Sequence, residues 1–214
     1  AQLRAIMKAN KRGLNISPVW NKSHREHLYV YSHPDDVKLE ADNAVKILGF
    51  EEQYFIDADH INFDTVEPFV HSSNFFTLDV ATYINKPSSQ KEIDVFLSSC
   101  HKYIGLFTIP GVEDPFEINR DLLLKIAEKF LNATNKAAQI YYYLKDVKGA
   151  GNFITEISMD EVERPQTPIE LLFILKMLAD SGIPVQTIAP KFIGRFNKGV
   201  DYVGDLALFA KEFE

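Results

Sequence analysis

Short apolar runs with the length of β-strands alternate along this chain with segments of helical periodicity. Five strands are predicted, at residues 15–20, 54–58, 75–80, 152–158 and 184–189. Helices are predicted at residues 1–12, 34–48, 93–104, 119–144, 168–181 and 205–214. An alternation of this kind predicts βα units that build a parallel sheet.

Local signals mark several helix ends. Ser32 is the predicted cap of the helix that begins at Pro34. Thr167 caps another helix, whose first residue is Pro168, a position where the missing N–H of proline does no harm. The long helix at residues 119–144 is open to a break near residues 132–135.

Two α/β architectures compete for this pattern, an open doubly wound sheet and a (β/α)8 TIM barrel. No G-x-G-x-x-G follows the first strand, which weakens the dinucleotide-binding form of the open sheet. Polar residues cluster where strands end, as they do at the active sites of barrels. A full barrel needs about 250 residues. We therefore expect residues 1–214 to form a single domain, an incomplete TIM-barrel-like fold of about five βα units from a longer enzyme.

Net charge, cysteine count and the length of apolar runs argue against several classes of protein. The chain has 214 residues and a formal net charge of -7, which argues against a long nucleic-acid footprint because phosphates need a basic face. Cys100 is the only cysteine, so no disulfide forms within the chain, and a cytoplasmic location is expected. No run of 18 apolar residues predicts a membrane span, and the first residues do not show the basic-then-apolar pattern expected of a leader. Because the first residue is not methionine, the natural N-terminus is expected to lie upstream.

The densest polar motif is the run DADHIN at residues 57–62, directly after an apolar strand. Asp57 and Asp59 point to one face of an extended strand, and His60 follows them. Carboxylates at the end of a strand are costly to bury unless they are paired or bind a metal. A helix cap with a loop salt bridge is the alternative, but carboxylates together with an imidazole favour a divalent-ion site.

A second acidic motif lies at residues 155–161, where Glu156 and Ser158 share one face of the predicted strand. Asp160 and Glu161 lie just beyond that strand. One of these carboxylates is suited to bind a metal while another moves protons. The alternative is an ordinary acidic loop before a helix.

A cationic loop completes the set of candidate motifs. Residues 186–199 hold Gln186, Lys191, Arg195 and Lys198 among glycines, and we expect this loop to be conformationally loose. In an acidic protein, such a loop indicates an anionic substrate, a carboxylate or a phosphate. Lys22, after the first strand, is a further candidate for the anion site. His24 and His27 are expected to be surface residues rather than ligands.

Six stretches, in this order, resemble the tagaturonate epimerase family of bacterial hexuronate metabolism. They are residues 18–23 (PVWNKS), 57–62 (DADHIN), 75–80 (FFTLDV), 151–156 (GNFITE), 165–168 (PQTP) and 186–204. The resemblance spans nearly the whole chain. It implies interconversion of D-tagaturonate and D-fructuronate, which differ at C4, with a divalent metal ion such as Zn, Mn or Ni. Members of that family are longer than this chain, so part of the site is expected downstream.

On this basis we assign a role to each candidate residue. The assigned metal ligands are His60 and Glu156, the catalytic residues are Asp57, Asp59, Asp160 and Glu161, and the substrate-binding residues are Lys22, Gln186, Lys191, Arg195 and Lys198. Retro-aldol cleavage and re-addition across C3–C4 is preferred to oxidation and re-reduction. Alternative functions are a metal-dependent aldolase or isomerase of phosphosugars, or a non-catalytic binding protein. With its sheet edges open, the chain is expected to aggregate or to associate with a copy of itself.

Overall fold

A computed structural model describes residues 1–110, 112, 114–197 and 199–213. Its helices are α1 (Gln2–Asn10), α2 (His24–Val30), α3 (Pro34–Leu48), α4 (Gln90–Cys100), α5 (Arg120–Lys148), α6 (Pro168–Asp180) and α7 (Leu206–Phe213). Its strands are β1 (Val19–Ser23), β2 (Phe55–Ile61), β3 (Phe75–Asp79), β4 (Gly105–Phe107), β5 (Phe116–Ile118), β6 (Ile154–Ser158) and β7 (Thr187–Ala189). The elements confirm the predicted α/β class. None of the helices described is both long and apolar enough to cross a membrane.

The main sheet has the hydrogen-bonded strand order β1-β2-β3-β6-β7. The pairs β1–β2 and β2–β3 are parallel, and Asn21 aligns with Asp57 in the first of them. Strand order thus follows chain order, without the reversal that defines a doubly wound sheet. In the described part of the chain the order ends at β1 and β7, so a closed barrel is not detected. β4 and β5 form a separate antiparallel pair that the sequence analysis missed.

The chain divides into two compact units. The first unit contains residues Ala1–Asp79 and Ile140–Glu156, and the second contains Val80–Gln139 and Ile157–Glu214. The expectation of a single domain stays a prediction.

The core of the first unit lies on one face of β2 and β3. Ala58, Phe76 and Leu78 are fully buried there, on the face opposite Asp57. Phe153 packs edge-to-face on Phe76 with ring centroids 5.7 Å apart. The apolar face thereby fixes the sheet, and the other face is left for polar residues.

The core of the second unit lies among α4, α5 and α6, where Phe96, Phe130 and Phe173 are buried. The break suggested near residues 132–135 does not occur, since α5 is continuous there. The hydroxyl of the buried Thr134 lies 3.1 Å from the Leu131 carbonyl and 3.3 Å from the Phe130 carbonyl, so this polar side chain is satisfied within the helix.

The first two strands are displaced from their predicted positions. β1 begins at Val19, later than expected, because the side chain of Asn10 binds both the N–H and the C=O of Ile16 at 3.0 Å. Those backbone groups are therefore not available to a neighbouring strand. β2 extends to Ile61, so Asp59 and His60 lie inside the strand rather than after it.

Helix caps were predicted with mixed success. Thr167 caps α6 as expected and forms a reciprocal capping box with Glu170. The cap of α3 is His33 rather than Ser32, with Asp36 as its reciprocal partner. Ser32 is not available as a cap, because its hydroxyl lies 2.9 Å from Nδ1 of His27.

Candidate functional site

Asp57 is the centre of the polar group in the first unit. Its side chain is 7% exposed, and it lies on the face of β2 that is opposite the apolar core. Thr77 on β3 donates its backbone N–H to Oδ1 at 3.2 Å, and its hydroxyl lies 3.1 Å from each carboxylate oxygen. A buried carboxylate that accepts hydrogen bonds in this way is held in one orientation.

Burial raises the pKa of the Asp57 carboxyl to about 7, because the charged form loses its hydration. The hydrogen bond from the Thr77 hydroxyl opposes this shift. The nearby carboxylates of Asp59 and Glu156 add to it by charge repulsion. A carboxyl group with a pKa near 7 is suited to accept and return a proton at neutral pH.

His60 lies at an irregularity in β2. The register with β3 shifts between Ala58 and Ile61, and His60 has a φ of 51°, which is unusual for a residue with a side chain. Such bulges re-aim side chains near active sites. Nδ1 of His60 lies 2.8 Å from Oδ1 of Asp59, which fixes the imidazole ring beside that carboxylate. The DADHIN motif thus contains a bulge, whereas the sequence analysis assumed a regular strand whose side chains alternate between its two faces.

Glu156 on β6 joins this group through Thr77. Its Oε1 lies 3.5 Å from the Thr77 hydroxyl, the same hydroxyl that contacts Asp57. Thr77 therefore links Asp57 to Glu156, and Asp59, which contacts His60, lies near Asp57. The roles assigned to these four residues stay predictions. Thr77 is the residue between them that sequence reasoning did not assign.

Lys22 does not join this group. In the register of β1 and β2 it aligns with Ala58, which faces the opposite side of the sheet from Asp57. Its Nζ lies 3.4 Å from the Ser32 hydroxyl instead. The displaced start of β1 explains the difference, because Lys22 is inside the strand and not in a loop after it. A role for Lys22 in substrate binding stays a prediction.

His27 was wrongly expected at the surface. It is 3% exposed, and its ring packs edge-to-face on Phe69 with centroids 5.7 Å apart. Burial is the main reason why its pKa is lowered. The short helix α2, which the sequence analysis missed, carries this histidine into the core.

In the second unit, the loop after β6 carries the acidic residues of the second motif. Asp160 is half-buried, and its Oδ1 accepts a hydrogen bond of 2.7 Å from the Ser158 hydroxyl. Glu161 is exposed and lines the same cavity as Asp160. Both follow the carboxyl end of β6, as predicted.

Backbone and aromatic contacts hold part of the cationic loop, and its expected looseness stays a prediction. The backbones of Arg195 and Val203 exchange hydrogen bonds of 2.8 and 3.2 Å, and the rings of Phe196 and Tyr202 lie 4.9 Å apart. Lys191 is half-buried and lines the cavity that holds Asp160.

Two further candidates from the cationic loop lie at the surface. Arg195 and Gln186 are exposed. Lys198 lies outside the described residues.

His60 and Glu156 are the donors assigned to a metal. An imidazole and a carboxylate suit a borderline divalent ion. Within the described ranges, however, no three His, Cys, Asp or Glu side chains converge into a metal-binding group. His60 and Glu156 thus fit the chemistry of a metal site but do not complete one.

The fold and the motifs were compared with known proteins. The profile of the tagaturonate epimerase family matches residues 3–214. A tagaturonate/fructuronate epimerase from Thermotoga maritima is 28% identical over 178 residues, which are 78% of this chain and 36% of that protein.

Crystal structures of the fructuronate-tagaturonate epimerase from Cohnella laeviribosi share the fold. The form with one glycerol matches with a TM-score of 0.78 and 24% identity, covering 94% of this chain and 44% of that one. The native form has a TM-score of 0.75 and 23% identity, covering 97% and 45%. The chain therefore spans less than half the length of the relatives it matches. Since the family profile covers nearly all of its residues, the chain belongs to the tagaturonate epimerase family.

Proposed function

We propose that this chain is part of an enzyme that interconverts D-tagaturonate and D-fructuronate by inverting C4. Family membership supports this substrate class. The observation that carries the proposal is the buried Asp57, held by Thr77 and placed beside Asp59 and Glu156. Reversible proton transfer near neutral pH is the chemistry for which this arrangement is suited.

Inversion at C4 needs more than enolisation, because C4 is β to the C2 ketone. Removal of the proton from the C4 hydroxyl allows the C3–C4 bond to break. The bonding pair stays with C3 and gives an enediolate, while C4 becomes an aldehyde. Re-addition of C3 to the opposite face of that aldehyde inverts C4, and the proton returns to the C4 oxygen. Atoms and electrons balance without an external oxidant.

The residues assigned from the sequence are proposed for the individual steps. Asp57 or Asp59 takes the C4 hydroxyl proton and returns it. Asp160 or Glu161 carries a second proton. Lys191 is proposed to bind the substrate carboxylate, and Arg195, Lys198, Gln186 and Lys22 are kept as further candidate substrate contacts.

Metal dependence is also proposed, with His60 and Glu156 as the donors from this chain. A divalent ion would polarise substrate oxygens when it is bound. Among the described residues, no third His, Cys, Asp or Glu completes a metal-binding group with them.

The family fold leads to a further proposal about the sheet. Its strand order follows chain order, which is the order of a (β/α)8 barrel. We therefore propose that the sheet is part of such a barrel in a longer protein. The full-length protein is this longer protein, of the same length as the relatives.

The proposal is tested by incubating the full-length protein with D-tagaturonate and following D-fructuronate by NMR. We expect conversion, which Asp57→Asn abolishes and Asp35→Asn leaves unchanged, since Asp35 is an exposed acid at the start of α3. A phosphorylated ketohexose serves as the competing substrate. Turnover of that sugar alone would replace the epimerase assignment with a phosphosugar enzyme.

The route is tested with deuterium at C4. Retro-aldol cleavage leaves the C4–H bond intact, so the rate should show no primary isotope effect. A primary effect would indicate oxidation and re-reduction at C4 instead.

A further inference from the structure

A cavity of about 710 Å³ in the second unit contains charged residues that the sequence analysis did not assign. Its volume lies within the range of about 300–1,000 Å³ that is typical of small-molecule sites. Its charged lining residues are Lys129, Arg164, Lys191, Asp160, Glu161 and Glu163. A wall with both signs of charge suits a ligand that is an anion at one end and carries hydroxyl groups elsewhere.

The cations of this cavity differ in their pairing. Nζ of Lys129 lies 2.7 Å from Oε1 of Glu170, so its charge is already matched within the protein. Arg164 and Lys191 form no salt bridge with any of the carboxylates described. These two side chains are therefore the cations that a bound anion would meet without displacing an existing ion pair.

Gln166 fixes Lys191 relative to the loop that carries Arg164. It is 8% exposed, and its Oε1 accepts the backbone N–H of Lys191 at 2.6 Å. Its own N–H donates to the Lys191 carbonyl at 3.2 Å. Its Nε2 lies 3.5 Å from the carbonyl of Met159, at the end of β6. One buried amide thus links the segments that follow β6 and β7.

We propose that Arg164 and Lys191 bind the carboxylate of the substrate in this cavity, and that Gln166 is the positioning residue that sets Lys191 for it. The inference rests on the proposed epimerase function, which supplies a hydroxylated carboxylate as the ligand. A guanidinium matches a carboxylate through two parallel hydrogen bonds, and a lysine adds a point charge. Arg164 then determines the preference for a sugar acid over an uncharged sugar.

The test is calorimetric binding of D-tagaturonate and of the uncharged ketose D-tagatose to the full-length protein. Arg164→Gln is expected to weaken binding of the acid by about ten- to a hundredfold, the value of a charge-assisted bond, and to leave the ketose unchanged. Arg164→Lys should lose less. Arg4→Gln is the matched control, because Arg4 is an exposed residue of α1.

Gln166 is tested in the same way. Gln166→Leu should weaken binding of the acid selectively, whereas Gln166→Glu keeps an acceptor for the Lys191 N–H and should retain more affinity. Gln139→Leu, at an exposed position of α5, is the control. If Gln166→Leu does not fold, the arginine variants still decide the question.

The outcomes separate this inference from the proposed function. Equal losses for acid and ketose in Arg164→Gln, or no loss for either, would overturn the carboxylate site. Selective, Arg164-dependent binding of D-tagaturonate by a protein that does not convert it would support the site and refute the epimerase proposal.

Discussion

Thr77 donates both its backbone N–H and its hydroxyl to the carboxylate of Asp57. Hydrogen bonds to the charged form of an acid lower its pKa. They therefore moderate a pKa that burial has raised to about 7. Thr77→Val, which removes the hydroxyl and keeps the shape, should raise the pKa of Asp57 further.

The expected consequence is a shift of the pH–rate profile. If Asp57 acts as the base, kcat/KM of the full-length protein rises with pH through the pKa of Asp57. Thr77→Val should move that rise to higher pH, while Thr77→Ser, which keeps a hydroxyl, should leave it close to the original position. An unchanged midpoint in Thr77→Val would show that another group controls the profile.

Asp57 also makes stability depend on pH. Its pKa is raised from 3.8 to about 7 in the folded protein, so between these values the folded state binds more protons than the unfolded state. The contribution of Asp57 to the free energy of unfolding is then fully present below about pH 4, and it falls as the pH rises toward 7. Each pKa unit corresponds to about 1.4 kcal/mol, so the loss is roughly 4 kcal/mol at most.

Urea unfolding across this pH range checks the prediction. Asp57→Asn cannot ionise, so its unfolding free energy should be flatter with pH and should exceed that of the unmodified protein above pH 7. Asp35→Asn serves as an exposed control. A variant Asp57→Asn with the same pH slope as the unmodified protein would exclude Asp57 as the source.

The metal proposal is checked by His60→Ala in the full-length protein. Loss of the imidazole should remove bound divalent ion and activity together, as elemental analysis and the NMR assay would show. His71→Ala is the control, because His71 is an exposed histidine in the same unit. Full metal occupancy in His60→Ala would refute the ligand assignment.

Sequence patterns predicted the elements whose signals are local. The helix at Pro168 was found because Thr167 and Glu170 stand at the spacing of a capping box. The acidic motifs were found because polar residues follow apolar runs. The failed predictions depend on side-chain contacts that no periodicity or cap pattern signals. Asn10 holds Ile16 out of β1 from six residues away, and the buried position of His27 depends on Phe69, which is distant in sequence.

Sequence patterns likewise predicted some residues of the candidate site and not others. Asp57 and Glu156 stand out as acids beside strands, but the threonine that contacts both is an ordinary residue of β3. Neither Thr77 nor Gln166 carries a local signal of its role. The register of the sheet and the approach of two loops assign those roles, and a single sequence does not encode them in any short pattern.

Asn74 precedes β3 and holds the start of β2. Its Oδ1 accepts the N–H of Ile56 at 2.7 Å, and its Nδ2 donates to the Tyr54 carbonyl at 3.3 Å. Its own backbone N–H donates to the Ile56 carbonyl, and its carbonyl accepts from Ile154. The side chain thus fixes the backbone directly before Asp57.

Asn74→Ala should destabilise the protein by about 1–3 kcal/mol, because the backbone N–H of Ile56 loses its partner in a partly buried position. Asn74→Asp keeps the acceptor and loses only the donor to Tyr54, so it should cost less. The free energies of unfolding are measured with urea. Asn43→Ala is the control, because Asn43 lies on the surface of α3. Asn85 is unsuitable as a control, because its positive φ of 61° makes its backbone unusual. If Asn74→Ala and Asn43→Ala were equally stable, the side chain of Asn74 would not be holding the strand that carries Asp57.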